Sequence, residues 1–195
     1  APLVTAKGFK EYFEPRSQHL AGMAMIDQWA LGERDHLDYS DADRGALTER
    51  VRTLYSADYI DSWRRALNAF AVTDFHDLNH AVAILEQLTG PAAPLHRLLE
   101  TVRDNTSIYP ASATEQELEA AAIVKGVAGT PEQQQAVGIR RAFAGLNGML
   151  DAKGEKPSYY DETLAAIAAV HDYAKAVQDS PDRGKAALQV VLQRF

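Results

Sequence analysis

Residues Asp43 to Phe70 read DRGALTERVRTLYSADYIDSWRRALNAF, and the spacing inside this stretch decides the fold. Val51, Tyr55, Tyr59, Trp63 and Leu67 recur every fourth residue, with Leu47, Leu54, Ala66 and Phe70 widening the stripe. A helix presents such a set on one side and a strand cannot. The opposite face carries Glu49, Arg50, Arg52, Asp61, Arg64 and Arg65. About 25 helical residues make a rod of roughly 37 Å. Its apolar stripe is too wide to stand alone, so other helices must cover it.

The flanking sequence predicts those helices through their start and stop signals. Ser40 with Asp43 is a capping pair for the long helix, expected over about 43–72. Upstream, residues 1–8 read as loose, and Glu14-Pro15 opens a helix bearing Leu20, Met23, Ile26, Trp29 and Ala30 up to Gly32. Downstream, Asp74 offers a cap for Leu78, Val82, Leu85 and Leu88, which stop at Gly90-Pro91; Pro94 opens a helix with Leu95, Leu98, Leu99 and Val102. Asn105 to Ala111 breaks the pattern. Ser112 with Glu115, Thr130-Pro131 with Gln133, Ser158 with Asp161, and Ser180-Pro181-Asp182 start the remaining helices. Phe143, Leu146, Met149 and Leu150 form one helical stripe closed by Lys153-Gly154. No alternating strand pattern competes. The expected fold is an all-α bundle of about eight helices organised around the long one. The expected subdomains are 1–110 and 111–195, packing separately or as one domain. Trp29 and Trp63 stand 34 residues apart, but their surroundings differ, so no helical repeat is read.

Bulk properties narrow the function. The 195 residues suffice to bury a core without metal or disulfide. A net charge of −7 argues against nucleic acid or an anionic membrane surface as the main partner. There is no cysteine, which excludes disulfides and thiolate chemistry. The longest apolar run, Leu164 to Val170, is far below the ~20 residues of a membrane helix, so no direct membrane insertion is expected. The chain starts at Ala1 without a signal peptide and reads as a piece of something larger.

Candidate chemistry is sparse. His76 and His80 have the four-residue spacing of a two-imidazole metal site, but no third ligand is announced, and a surface pair near a helix start explains them as well. His171 lies among alanines and reads as a core histidine. Asp38 to Glu49 has the span of a calcium loop, yet Ala42 occupies a ligand position. Leu95 to Leu99 has the shape of a groove-binding helix and reads better as core. Gly184-Lys185 lacks a glycine-rich phosphate loop, and no nucleophile comes with a base and an orienting group. The expectation is therefore no catalytic residue, no metal and no cofactor. The residues singled out are structural: Trp29, Val51, Tyr55, Tyr59, Trp63 and Leu67.

These residues also carry a family resemblance. Gly8-Phe9, Asp27-Gln28-Trp29-Ala30-Leu31-Gly32 and the run Leu54-Tyr55-x-x-Asp58-Tyr59-x-x-x-Trp63-x-x-x-Leu67 resemble the IcmF/TssM family of type VI secretion. The likeness continues through Leu85-x-x-Leu88-x-Gly90-Pro91, Pro94-Leu95-x-x-Leu98-Leu99 and Asn105-Thr106, then Phe143-x-x-Leu146, Tyr159 or Tyr160, and a last helix from Pro181. What the resemblance implies is an inner-membrane protein whose large periplasmic portion contains this helical region. That portion is a pillar of the trans-envelope complex that docks the contractile tail, with the complex's other subunits as partners. The family's cytoplasmic domain and its C-terminal β-rich domain, which binds the outer-membrane lipoprotein TssJ, have no counterpart in this stretch. The implied role is a non-enzymatic periplasmic scaffold segment. The alternative is a soluble helical adaptor that binds a partner through an apolar groove.

Overall fold

The computed structural model describes residues 2–17, 40–109, 130–152 and 154–194. A 3-10 turn, Pro2–Val4, leads into a consecutive helical run, Ala6–Gly8, Phe9–Phe13 and Glu14–Ser17, here α1. The helices α2 (Asp41–Asn68), α3 (Leu78–Thr89), α4 (Pro94–Thr106), α5 (Pro131–Ala142), α6 (Ala144–Asn147), α7 (Tyr159–Asp179) and α8 (Arg183–Arg194) follow. Among the described residues there is no strand, as the all-α expectation requires. No described helix is long and apolar enough to cross a membrane.

The chain divides into two compact units interleaved along the sequence: residues 1–69 with 102–144, and residues 70–101 with 145–195. The boundary expected at about 110 lies at the edge of the residues outside the description. Outside it too are Trp29, the predicted helix around it, and the helix expected after Ser112.

In the first unit, α2 starts at the expected capping box: the Ser40 hydroxyl accepts from the Asp43 N–H and the Asp43 carboxylate accepts from the Ser40 N–H. It ends at Asn68, four residues short of the expected Val72, and Phe70 and Val72 beyond it are 64% and 52% exposed. The start of the chain is not loose, since α1 begins at Ala6 and is capped by Thr5, whose hydroxyl accepts from the Gly8 N–H at 3.0 Å. Pro15 accordingly sits inside a helical run, not at its opening. Its missing N–H removes the usual donor to the Glu11 carbonyl. The Arg16 guanidinium supplies one instead, reaching the Glu11 and Tyr12 carbonyls at 3.4 and 3.3 Å. The turn just before is a π-helix, Phe9–Phe13, which sends both phenylalanines inward. They join Tyr59, Ile108, Ala136 and Ile139 in the core, with Val4, Tyr55, Ile60, Trp63 and Tyr109 against it.

In the second unit α3 packs along α7, with Val82 and Leu85 buried from α3 and Tyr160 from α7. The α3 cap is Asp77, not Asp74: the Asp77 carboxylate accepts from the His80 N–H at 2.8 Å. Gly90 ends α3 where a β-carbon would come within 2.8 Å of the Glu86 carbonyl oxygen, so only glycine fits without a shift. The stripe expected as one helix over Phe143 to Leu150 is broken into α6 and a 3-10 turn, Gly148–Leu150. Phe143 is instead the C-cap of α5, while Gly154, at φ +67, provides the left-handed residue that closes the segment. The Ser158–Asp161 capping box opens α7 as expected.

Candidate functional site

The site built around the long helix uses three aromatic side chains one turn apart. Tyr55, Tyr59 and Trp63 share one face of α2, and each places a ring against apolar neighbours and its polar end on a backbone carbonyl. The Tyr55 hydroxyl donates to Leu3 O at 2.6 Å, the Tyr59 hydroxyl to Asn105 O at 2.6 Å, and Trp63 Nε1–H to Val4 O at 2.9 Å. Tyr59 is fully buried. Tyr55 stacks on Phe13 with centroids 3.7 Å apart and rings within 6° of parallel, and it meets Phe9 at 6.0 Å. Such aromatics combine large apolar area with a donor that needs a partner, and here all three donors find one. Each bond contributes about 1 kcal/mol net, but leaving the buried partner bare costs more.

Asn105 is the meeting point. Its carbonyl receives Tyr59 and its side-chain Oδ1 accepts from the Ala6 N–H at 3.2 Å, so one residue of α4 holds both α1 and α2. The break expected at Asn105 to Ala111 is therefore helical through Thr106, and Ile108 beyond it is buried in the first unit's core. Burial, reinforced by the Asp58 carboxylate, pushes the Tyr55 hydroxyl up to about 12. Tyr59 is raised further, by burial first and then by Tyr55.

A second constellation was invisible in the sequence. Arg52, placed by periodicity on the charged face of α2, is buried at 9% exposure and donates through Nη2 to Glu132 Oε1 at 2.5 Å. Glu132, the second residue of α5, is 2% exposed and also accepts from the hydroxyl of Ser17, itself fully buried. Burial by itself raises the Glu132 carboxyl. The Ser17 hydroxyl, its own backbone N–H and the Arg52 charge outweigh that and hold it below the ordinary glutamate range. What the three groups can do is fasten α1, α2 and α5 to one another. Sequence reasoning missed them because Ser17 and Arg52 lie 115 and 80 residues from Glu132, beyond any helical spacing.

The remaining candidates are placed as follows. Val51 and Leu67 are half-buried on the expected face of α2, whereas Leu54, Ala66 and Phe70 are exposed. His76 and His80 stack in parallel with centroids 4.8 Å apart, and His80 Nδ1 accepts from the His76 N–H at 3.3 Å. Among the described residues no group of three metal-ligating side chains converges. His171 is half-buried, with Nδ1 3.2 Å from Asp172 Oδ1 and Nε2 buried without a partner. Leu95, Leu98 and Leu99 are half-buried within α4, and do not form an open groove face. A surface depression lined by Lys156, Pro157, Tyr159 and Glu162 brings together no nucleophile and base.

Comparison with known proteins follows the same residues. Residues 1–107 match the family model described as IcmF-related, intracellular multiplication and human macrophage-killing. Over 198 aligned residues the chain is 30% identical to the type VI secretion system component TssM1 of Pseudomonas aeruginosa strain PAO1. The alignment covers 89% of this chain and 17% of that relative. No solved structure matches the chain.

Proposed function

The chain belongs to the IcmF-related family, and from that premise we propose that it is a non-enzymatic scaffold segment of a type VI secretion membrane complex. It would lie in the periplasmic portion of an inner-membrane parent. The observation that supports this reading is the use made of the family-matching residues. Tyr55, Tyr59, Trp63 and Asn105 make internal contacts to the backbone, so the most recognisable part of the sequence is used in packing helices together. Its partners are the other subunits of the complex, reached through the parent. Binding of a TssJ-type lipoprotein is assigned to a β-rich domain outside this stretch.

The test is topological. A reporter active only in the periplasm is fused after Phe195 in the intact parent and assayed in cells. Activity supports an envelope scaffold. A stably produced but silent fusion puts the bundle in the cytoplasm and overturns the location. Normal secretion by a parent whose Tyr59→Ala substitution unfolds this body would overturn the scaffold role.

A further inference from the structure

Residues 2–17 meet the rest of the first unit along one face. The side chains they bury, Phe9, Phe13 and Ser17, stand four apart, and Lys10, Glu11, Tyr12, Pro15 and Arg16 between them are exposed. That is the anchor pattern of a helix laid in a groove. Ahead of the anchors, recognition passes to the main chain. Leu3 O accepts from the Tyr55 hydroxyl, Val4 O accepts from Trp63 Nε1–H, and the Ala6 N–H donates to Asn105 Oδ1. The Leu3 side chain itself is 50% exposed.

The walls of this groove belong to helices that also hold one another. Tyr55, Tyr59 and Trp63 come from α2, Asn105 and Ile108 from the end of α4 and just beyond it, and Ile139 from α5. α2 packs directly on α5, and the Arg52–Glu132 bridge joins the same two helices. The Tyr59 hydroxyl ties α2 to Asn105. The docked stretch has little to keep it helical by itself. It is a 3-10 turn of three residues, then a short run interrupted by the π turn Phe9–Phe13 and by Pro15. Such a run is marginal without the surface it lies on.

We propose that residues 2–17 form a strap, an internal ligand that opens as one piece while α2, α4 and α5 keep their fold. The groove it vacates fits an apolar helical segment with two aromatic anchors four residues apart. The anchors supply specificity, while the bonds to Leu3 O, Val4 O and the Ala6 N–H set the register and are indifferent to the side chains there. Tethered to its groove, the strap is present at an effective concentration on the order of millimolar, so a free segment of the same chemistry enters only when the strap is weakened. Opening uncovers Tyr55, Tyr59 and Trp63 together. The device does not depend on the secretion reading.

The full 195-residue chain is followed by amide hydrogen exchange, and a fluorescent peptide with the sequence of residues 2–17 is titrated into it and read by anisotropy. In the wild-type chain the amides of 9–17 exchange together, roughly tenfold or more faster than those of 50–63 in α2. Phe9→Ala with Phe13→Ala strips protection from 9–17 and keeps it in 50–63. The peptide then binds this variant roughly tenfold or more tighter than it binds the wild-type chain, whose groove is filled. A peptide carrying the same two alanines binds neither chain. Equal exchange of the two stretches in the wild-type chain overturns the proposal, because strap and helices would then open as one body. So does a variant whose α2 loses protection along with the strap, or a folded variant that ignores the peptide. Peptide binding as tight to the wild-type chain as to the variant overturns it too, since the site would then lie outside the groove.

Discussion

The two units solve the same problem, covering amphipathic helices, with different chemistry. The first unit buries aromatic rings, satisfies the polar ends of Tyr55, Tyr59 and Trp63 on backbone carbonyls, and adds the buried Arg52–Glu132 ion pair. The second joins α3 to α7 through aliphatic side chains and Tyr160, and leaves Phe70, Val72, Phe75, Val170, Leu188 and Leu192 in solvent. The lesson concerns specificity. Aliphatic faces slide over one another at small cost, whereas a buried donor or charge tolerates one partner in one place. The first unit is accordingly the one whose helices are fixed to one another by paired buried polar groups, and the second is the one held by apolar packing.

The contrast can be broken most sharply at the ion pair. Glu132→Gln keeps the size of the side chain and leaves the buried Arg52 only the exposed Glu49 carboxylate, 3.5 Å away, as counter-charge, so the first unit should lose about 3 kcal/mol. Replacing Arg52 and Glu132 together by methionine and leucine should recover most of it. Urea unfolding followed by amide exchange in α2 and α7 separates the two units, and equal loss in both would show that the pair is not local to the first. Trp63→Ala comes next: it removes a half-buried ring and the bond to Val4 O, costing about 3 kcal/mol. An unchanged melting temperature would show that the aromatic face of α2 is not what holds the N-terminal segment.

Alkali provides a third comparison. Tyr55 and Tyr59 have raised folded pKa values, so their contribution is complete below the ordinary tyrosine value near 10 and is lost as pH climbs through the folded values. For Tyr55 that window runs from about 10 to about 12. The second unit has Tyr160, raised by burial and then by Asp161, so it should respond less steeply. Exchange rates that rise in α7 before α2 over this range would reverse the assignment. The smallest effect is in the second unit: Gly90→Ala forces a β-carbon against the Glu86 carbonyl and should cost about 1–3 kcal/mol, with α2 unaffected.

Much of the architecture was legible in the chain because it depends on near neighbours. The four-residue recurrence from Val51 to Leu67 specified α2, and the Ser40, Thr130 and Ser158 boxes marked three helix starts, since a cap is chosen within three residues of its partner. The aromatic signature could be read as packing, and its polar ends could be expected to need acceptors. Which acceptors was decided only by tertiary structure: Leu3, Val4 and Asn105 lie at least 46 residues from the side chains they receive. The same distance hid Arg52, whose charge and position both pointed to solvent until Glu132 and Ser17 were brought to it. The end of α2 was not legible either: Phe70 would extend the stripe, yet it lies beyond the helix and is 64% exposed. Local spacing determined what each helix is and where it begins; the buried polar pairings, and with them the way the helices lock, came from residues that only the folded chain brings within 3 Å.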